Sequence, residues 1–399
     1  MAADFSSPNP AIDLMDPATH SGDPWPLYTW LREEAPVYWD PINELWAISR
    51  YDDIMTVSRN ARQFWSTEGN VPKMPADPSF INLDGKAHRD RRKLVSALFS
   101  PRAIAKMADH IRDAVDELID EVIEQGSCEF VADIAAPLPV RMIAEMTGIP
   151  SEWHPFLLEW LDEFVKGGNG PDHVTMEVNE AFINFGALHM ELVDQRREEP
   201  QDDLLTLWVN AEIDGEKLDE DQLLFEHTMM MIGGSETARN AISGGVAALA
   251  EHTDQREWLL ANPKGCANAM EEATRWVTPF IRMSRTATED CDLVGTPVKK
   301  GDEVMMMYPP ANRDPRRWER PDEFDVQRDF KATRNLAFGF GNHFCIGAHL
   351  ARMEGQIVFE QLLKRMPDWR IAGEVTHQES SFVRGITSMP LEFTPGKRR

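Results

Sequence analysis

The feature that most constrains this 399-residue chain is the stretch Phe338-Gly-Phe-Gly-Asn-His-Phe-Cys-Ile-Gly347, where a single cysteine stands among glycines. The sequence after it predicts a helix from Ala348 to Arg365. A thiolate just before a helix N-terminus meets unpaired backbone N–H groups and the positive end of the helix dipole. We therefore expect Cys345 to have a lowered pKa and a sulfur atom that is available as a metal ligand.

The glycines around the cysteine suit a flat cofactor. Gly339, Gly341 and Gly347 carry no side chain, so such a cofactor can approach the backbone closely. Phe338 is positioned to shield the sulfur from water. Together these residues fit one strong thiolate ligand to a haem iron. The alternative is a glycine-rich loop that holds a buried structural cysteine.

A zinc site is a weaker interpretation of the same stretch. His343, Cys345 and His349 would supply only three ligands. No second Cys/His pair stands at the spacing of a zinc finger or ribbon. The stretch therefore favours haem over zinc.

The stretch also resembles the haem-binding signature of the cytochrome P450 superfamily, F-G-x-G-x-[HR]-x-C-x-G, at every fixed position. The resemblance implies haem b as the cofactor, with the Cys345 thiolate as the axial ligand of the iron. It also implies that Phe338, Gly339, His343 and Gly347 belong to the cofactor site. So many fixed positions rarely coincide by chance, which makes this the most specific motif in the chain.

A second motif lies in the longest predicted helix, residues 221–252. Gly233 and Gly234 each cost that helix about 1 kcal/mol relative to alanine, so close approach of a ligand or local widening of the helix is expected to compensate. A helix crossing that requires small residues is the alternative. Glu236 and Thr237 follow, and an acid beside a hydroxyl can pass protons from solvent into an apolar cavity.

This second stretch resembles the oxygen-activation motif [AG]-G-x-[DE]-T of the same superfamily. The resemblance implies that Glu236 and Thr237 are catalytic residues. Many members have a second threonine next, and this chain has Ala238 there. The departure leaves the acid–alcohol pair intact.

Glu272 and Arg275 are three residues apart on a predicted helix, 267–276, so they share a face. They match the superfamily's E-x-x-R motif, which implies a structural brace for the cysteine stretch. Arg328 resembles the arginine that completes this brace in bacterial members. E-x-x-R is common by chance, and its position between the long helix and the cysteine stretch gives it weight.

The two propionates of a haem need cationic or hydrogen-bonding partners. His88 and Arg92 are one helical turn apart and match the family's H-x-x-x-R pair. His343 and Arg285 fit the remaining positions. An exposed basic helix face is the alternative for residues 88–93. Both interpretations hold if His88 and Arg92 point inward while their neighbours face solvent.

Arg89, Arg91 and Lys93 would then present charge and, with Arg334 and Arg352, form a basic patch on which an acidic ferredoxin can dock. A ferredoxin and its reductase are the electron donors that the resemblance implies. The formal net charge of −26 argues against nucleic acid and anionic membrane surfaces as partners.

The four cysteines lie far apart and show no disulfide framework, which predicts a reducing, cytoplasmic location. The N-terminus has neither a basic start nor an apolar run, so no signal peptide is expected. No long uninterrupted apolar stretch occurs, so no membrane anchor is expected either. We expect a monomer.

The periodicity of apolar residues is helical from about residue 86 to residue 276, and short β elements are predicted near both ends of the chain. We predict a mainly α protein with small β-sheets near the N- and C-termini and one long central helix. It would form one large haem-thiolate domain over residues 25–399, after an irregular surface segment over residues 1–24. The resemblance implies the cytochrome P450 fold. The segment 65–84 is predicted to be a long functional loop.

The substrate pocket is expected to combine this loop, the long helix, the segment after the E-x-x-R helix and the C-terminal strands. Its predicted residues are Met74, Met230, Gly233, Gly234, Phe280, Ile281, Met283, Ile386 and Thr387. The methionines would give an adaptable apolar wall, although methionine at helical spacing is more often ordinary core. Arg282 or Arg384 would meet a carboxylate if the substrate carried one, and a haem propionate is the alternative partner of Arg384.

A bulky lipophile is implied as substrate, such as a steroid, a terpenoid or a branched lipid. Residues 382–395 resemble actinobacterial members that hydroxylate steroid side chains and related lipids. The resemblance to the superfamily covers nearly the whole chain and implies a haem-thiolate monooxygenase that uses O₂ and electrons from a ferredoxin. A peroxide-driven hydroxylase would typically have arginine in place of Glu236, and a haem-based sensor or isomerase would not need the acid–alcohol pair.

Overall fold

Helices make up most of the protein in the computed structural model, which describes residues 11–399. In chain order they are α1 (Pro17–His20), α2 (Trp25–Glu33), α3 (Tyr51–Arg59), α4 (Gly85–Ser96), α5 (Pro101–Ala105), α6 (Ala108–Val122), α7 (Pro137–Thr147), α8 (His154–Gly167), α9 (Met176–Glu198), α10 (Leu204–Asn210), α11 (Glu220–Glu251), α12 (Thr253–Ala261), α13 (Cys266–Val277), α14 (Tyr308–Ala311) and α15 (Ala348–Arg365). Among these helices, none is long and apolar enough to cross a membrane.

The strands are short. They are β1 (Val37–Asp40), β2 (Leu45–Ile48), β3 (Phe64–Trp65), β4 (Ser127–Glu129), β5 (Glu212–Ile213), β6 (Glu216–Lys217), β7 (Arg282–Ala287), β8 (Cys291–Leu293), β9 (Thr296–Val298), β10 (Glu303–Met307), β11 (Arg370–Ile371), β12 (Thr376–His377), β13 (Ile386–Ser388) and β14 (Pro390–Glu392). Those near the two ends of the chain were predicted, but β4 to β10 lie between residues 127 and 307 and include the two longest strands. The mainly α prediction is confirmed.

The long central helix α11 begins at a capping box. Asp219 Oδ1 accepts the backbone N–H of Gln222 at 2.8 Å, and Gln222 Oε1 accepts the backbone N–H of Asp219 at 3.1 Å. These bonds satisfy N–H groups that have no partner within the helix. The helix has 32 residues, which at 1.5 Å per residue span about 48 Å. It runs through the protein and gives the other helices a common surface.

The main hydrophobic core lies where α11 packs against α7, α13 and α15. Ile242 and Val246 of α11 are fully buried there, together with Ala273 of α13 and Phe359 of α15. The close packing of these three helices fixes the position of the segment that precedes α15, which contains Cys345.

The largest sheet has the strand order β1-β2-β10-β7-β3. β2 and β10 run parallel, and the other neighbouring strands are antiparallel. Side chains alternate between the faces of a strand. In β7, Met283 and Arg285 point toward a large cavity, whereas Arg282 lies on the other face and is fully buried. This sheet therefore forms one wall of the cavity.

Residues 11–24 are irregular apart from α1, but the prediction that this segment lies on the surface is wrong for Ile12, Leu14 and Met15. Asp16 caps α1 by accepting the N–H of Ala18 at 2.9 Å. Leu14 is fully buried in a cluster with Leu27 and Tyr28, and its backbone N–H donates to Asp40. Apolar residues between the prolines and aspartates thus join the core. Residues 1–10 lie outside the described residues, and the single domain over 25–399 stays a prediction.

Candidate active site

A cavity of about 470 Å³ lies between α11, the sheet and residues 338–347, which we call the cysteine loop. Cys345 lines this cavity, and of the four cysteines it is the only one that does so. Cys266 is packed in the main core instead, where burial raises the pKa of its thiol to about 12. The predicted thiolate ligand therefore stands at a place where a cofactor has room.

The cysteine loop is a tight turn. The backbone N–H of Cys345 donates to the carbonyl of Phe338 at 2.8 Å. Gly339 and Gly341 have φ values of 66° and 74°, which side-chain-bearing residues rarely adopt. A Cβ on Gly341 would stand 2.3 Å from the carbonyl oxygen of Ser58. Gly341 was predicted to make room for a flat cofactor, and that explanation is wrong. The absence of a side chain at Gly341 allows the cysteine loop to pack against α3.

The predicted lowering of the Cys345 pKa is also wrong in the protein without haem. Burial raises the pKa of the thiol. The backbone N–H groups of Gly347 and Ala348 and the charges of Arg92 and Arg352 act in the opposite direction and do not fully offset burial. The lowering effects expected from the helix N-terminus are present, and they are outweighed by desolvation.

Four polar residues predicted to bind propionates lie together beside the cysteine loop. The rings of His88 and His343 are in contact, with centroids 4.2 Å apart and planes tilted by 39°. Arg92 and Arg285 line the cavity. Arg92 donates to the carbonyl of Phe344 at 2.5 Å, and Arg285 donates to that of Ser284 at 2.6 Å. Burial lowers the pKa of His88 to about 4 and also lowers the pKa of His343.

The predicted brace is a fully buried charge cluster. Arg275 donates to both carboxylate oxygens of Glu272 at 2.7 Å, and Arg328 donates to one of them at 3.0 Å. Arg275 and Glu272 have no exposed surface. Burying such a cluster of charges is costly, and removing one of the partners strongly destabilises the folded protein.

Asn312 connects this brace to the cysteine loop. Its carbonyl accepts a hydrogen bond from Arg275 at 3.0 Å. Its side-chain oxygen accepts the backbone N–H of Leu336, two residues before the loop, at 2.7 Å. The brace therefore holds the segment from which the cysteine loop emerges.

The adjacent glycines Gly233 and Gly234 of α11 serve different purposes. A Cβ on Gly234 would lie 2.8 Å from Cγ1 of Ile143 on α7, so this glycine permits a close helix crossing. A Cβ on Gly233 would meet nothing within 4 Å, and Gly233 lines the cavity. The helix continues through both residues without a break. Of the explanations offered for the two glycines, local widening is therefore wrong, while the cavity beside Gly233 leaves room for a ligand and Gly234 is at a helix crossing.

Glu236 and Thr237 point in different directions. Thr237 lines the cavity and donates to the carbonyl of Gly233 at 3.0 Å. Glu236 is buried outside the cavity lining and accepts a hydrogen bond from Arg239 at 2.5 Å. Arg239 also donates to Asp162 of α8 at 2.8 Å, and the side chain of Asp162 is 52% exposed. Burial raises the pKa of Glu236 to about 7, against the charge of Arg239.

Consecutive residues on a helix are about 100° apart, which explains this divergence. Sequence analysis missed Arg239 and Asp162. Arg239 stands three residues after Glu236, and this spacing of a base after an acid could have indicated the ion pair between them. Nothing local pointed to Asp162, because it belongs to another helix.

Most predicted pocket residues line the cavity. They are Met74, Met230, Gly233, Gly234, Phe280 and Met283. Three do not, and those predictions are wrong. Ile281 is buried elsewhere because its backbone is bonded to Phe382 and Tyr308. Ile386 packs in the main core, and Thr387 is exposed and bonded to Thr376.

The C-terminal contribution to the cavity is Phe382, just before the predicted position. β13 pairs with β12, and this pairing turns Ile386 and Thr387 away. Sequence analysis also missed Asn179 and Phe182 of α9, since a helical pattern does not show which neighbour a face will meet. On α11 the lining extends from Phe225 to Ala241, about 24 Å along the axis.

Two residues of the predicted basic patch are not free, exposed charges in the structure. Arg91 is buried and donates to Glu226 at 3.0 Å, so its prediction as an exposed charge is wrong. Arg352 is paired with Glu271 and lies over the ring of Phe338 at 4.4 Å from the centroid.

Arg282, which was predicted to meet a carboxylate of the substrate, does not reach the cavity, since it donates to carbonyls of residues 168, 169 and 381.

Comparisons with known proteins agree with this geometry. Residues 267–378 match the family model "Cytochrome P450". The steroid C26-monooxygenase of Mycolicibacterium smegmatis is 37% identical over 391 residues, covering 97% of each chain. The methyl-branched lipid omega-hydroxylase of Mycobacterium bovis is 33% identical, also covering 97% of each chain. The structure of a Mycobacterium marinum cytochrome P450 in complex with pseudoionone has a TM-score of 0.88 and 32% identity, covering 98% of this chain and 100% of that chain.

The fold and the cysteine-lined cavity are those of a haem-thiolate protein. The chain belongs to the cytochrome P450 family, and it is a cytochrome P450 monooxygenase.

Proposed function

We propose that this enzyme hydroxylates a bulky lipophilic substrate, a steroid or a methyl-branched lipid, with haem b held by Cys345. The observation that carries the proposal is the position of Cys345 in a large cavity, beside four cationic or hydrogen-bonding side chains. Thiolate, flat space and paired propionate partners are the requirements of this cofactor.

The polar atoms beside the cysteine loop fit the haem. Nε2 of His88 and Nδ1 of His343 are buried without a hydrogen-bond partner among the described residues. Within that part of the chain neither Arg92 nor Arg285 forms a salt bridge. Buried donors and cations without partners are costly. Two propionates would supply the missing acceptors and negative charge, so these four residues would hold them.

Haem bound through a cysteine thiolate supplies reductive activation of dioxygen for insertion of one oxygen atom into a C–H bond. The protein's part is to stabilise the thiolate and to control protons and water. Arg92, Arg352 and the N–H groups of Gly347 and Ala348 favour the charged form of Cys345. Phe338, the first residue of the cysteine loop, lies under the Arg352 side chain, where its ring would shield the sulfur from water.

Protons are supplied to the cavity by Glu236 and Thr237. Asp162 is at the surface, Arg239 bridges it to Glu236, and the Thr237 hydroxyl is on the cavity side of the same helix. A carboxyl group with a pKa of about 7 can both accept and donate protons near neutral pH. This arrangement supports an O₂-dependent reaction over a peroxide-driven one, which needs no such supply.

The lining of the cavity supports a lipophilic substrate. Met230, Met283, Phe280, Phe182 and Phe382 face it. The relatives at 37% and 33% identity are named for oxidation of a steroid at C26 and of a methyl-branched lipid at its omega position. We infer that this enzyme acts on the same class of molecule, near the end of an aliphatic chain.

A ferredoxin and its reductase are the proposed electron donors. Arg89 and Lys93 are exposed on α4, whose Arg92 contacts the cysteine loop. Arg334 is exposed just before that loop. These three cations remain available for an acidic partner in a chain of net charge −26. A cytoplasmic location and a monomeric state stay predictions.

The absorption spectrum of the reduced, CO-bound protein tests the haem assignment. A strongly red-shifted Soret band in the wild type that is absent in Cys345→Ser is expected, because thiolate ligation produces this shift. Cys266→Ser is the matched control and should keep the band. A histidine-type spectrum in the wild type, or a band that survives in Cys345→Ser, would contradict the assignment.

Turnover assays test the proposed reaction. Steroids and methyl-branched lipids that shift the resting spin state would be incubated with NADH, a surrogate ferredoxin and its reductase, or with hydrogen peroxide alone. Hydroxylated product is expected with the ferredoxin system. Product formed only with peroxide would establish the alternative, a peroxide-driven hydroxylase.

A further inference from the structure

The carboxylate of Glu226 joins three segments in the protein interior. It lies on α11, two helical turns before Gly233, and is fully buried. Arg91 of α4 donates to its Oε1 atom at 3.0 Å. The backbone N–H of Phe80 donates to the same oxygen, also at 3.0 Å.

Phe80 belongs to residues 69–83, which we call the cavity loop. The loop residues that line the cavity are Asn70, Val71, Met74, Pro75, Asp77, Phe80, Ile81 and Asn82. The loop is bonded internally: Asn70 donates to the side chain of Asn82 at 2.7 Å, and Asn82 donates to the carbonyl of Asp77 at 3.3 Å. These bonds make the cavity loop a unit that is attached to the rest of the protein at its two ends.

The two attachments differ in kind. Near its start, the loop is bonded to the sheet through the N–H of Ser284 and the side chain of Glu303. Near its end, the side chain of Glu226 bonds it to the helical body at Phe80. The ring of Phe80 also lies 6.1 Å from that of His88, measured between centroids. Phe80 is therefore the point at which the loop meets the helices.

The helical attachment relies on one carboxylate oxygen. Oε2 of Glu226 and Nε of Arg91 are buried without a partner among the described residues. The charged groups that act on Glu226 are Arg91 from α4 and Asp77 from the cavity loop itself. Burial raises the pKa of Glu226 to about 7, which Arg91 opposes. A buried carboxylate with so few bonds holds the loop more weakly than a fully satisfied one would.

We propose that Glu226, oriented by Arg91, is a positioning residue that keeps the cavity loop closed over the substrate. The proposal rests on the proposed function in so far as the cavity holds the substrate. When the bond to Phe80 opens, the side of the cavity formed by the loop becomes accessible. Glu226 then controls how readily substrates enter and leave, although it does not line the cavity.

Hydrogen exchange of the haem-loaded protein tests the attachment without a substrate. The double variant Glu226→Met/Arg91→Leu replaces a buried ion pair by apolar residues of similar size, which is often neutral for stability. It removes the acceptor for the Phe80 N–H. Amides of residues 69–83 are expected to exchange at least about tenfold faster, the effect of losing one hydrogen bond to a charged group.

Two further variants separate positioning from general stability. Glu226→Gln keeps an oxygen acceptor at this position and should retain most of the protection of the loop. Glu303→Gln alters the sheet-side attachment, where Lys73 and Glu303 are partly exposed, and should change loop exchange less than about twofold. The urea midpoint of each variant is measured in parallel.

Faster exchange confined to the cavity loop, with an unchanged urea midpoint, would support the proposal. Unchanged exchange of the loop would overturn it. A uniform increase of exchange across the protein, with a lowered midpoint, would also overturn it, because Glu226 would then be only a structural brace. A spectrum without thiolate ligation would refute the proposed function and leave the exchange result valid.

Discussion

At the scale of single residues, the chemistry depends on where neighbouring side chains point. Glu236 and Thr237 are adjacent in sequence, yet the hydroxyl faces the cavity and the carboxyl is bonded to Arg239. Arg91 and Arg92 show the same contrast, since one is buried against Glu226 and the other contacts the cysteine loop. Residue identity predicted the chemical groups, and helix geometry decided which of them meet.

Replacing Glu236 by glutamine should lower turnover at saturating substrate by at least about tenfold, because a positioned acid typically contributes more than this. The pKa of Glu236 is raised to about 7, so its proton-donating form is lost as the pH rises above 7. Wild-type turnover should therefore decline above pH 7, and this decline should be absent in Glu236→Gln. Turnover with the ferredoxin system is measured between pH 6 and pH 9.

Glu152→Gln is the control for this prediction, since Glu152 is an exposed acid outside the cavity lining. Equal turnover in Glu236→Gln and the wild type would show that protons reach the cavity by another route.

At the scale of secondary structure, the residues at which helices begin and end could be predicted far better than the residues against which the helices pack. The predicted bounds of α15 agree with the structure, and those of α11 are off by one residue at each end. Caps and glycines are local signals, so they are readable from sequence. A glycine is needed at position 234 because Ile143 packs closely against it. Ile143 belongs to α7 and is distant in the chain.

The adjacent glycines Gly233 and Gly234 give a matched pair of variants. Gly234→Ala should destabilise the protein by about 1–2 kcal/mol, because overpacking against Ile143 outweighs the gain in helix propensity. Gly233→Ala should be neutral or stabilising by up to about 1 kcal/mol, since its Cβ meets nothing within 4 Å. Urea unfolding of the haem-loaded proteins measures both. Equal destabilisation would contradict the helix-crossing explanation.

The C-terminal strands show the limit of prediction at this scale. The β character of the last 30 residues could be recognised, but Ile386 and Thr387 were placed in the pocket. Ile386 is paired with His377 of β12 and packs in the main core, and Phe382, whose carbonyl is bonded to the N–H of Ile281, faces the cavity instead. Strand patterns carry no information about which turn approaches a ligand.

At the scale of the whole molecule, a strongly acidic chain keeps a few exposed cations near the cysteine loop. Neutralising Arg89 and Lys93 together should slow reduction by a reduced ferredoxin severalfold at low ionic strength and less at high salt, because these charges guide association. Stopped-flow reduction of the CO complex measures the rate.

Lys299→Ala with Lys300→Ala is the control for that prediction. It removes the same charge from the turn before β10. Equal slowing by both double variants would mean that net charge, and not a docking surface beside the cysteine loop, governs the encounter.

The cavity follows α11 for about 18 Å between Phe225 and Thr237. Because this lining is built along a rigid helix, the distance between these two residues is fixed. If one end of a long substrate stopped against the aromatic residues near Phe225, the carbon beside Thr237 would be selected by its distance from that stop. In a homologous series, regioselectivity would then count carbons from the far end of the molecule, and each added methylene would move oxidation one position inward from the chain terminus.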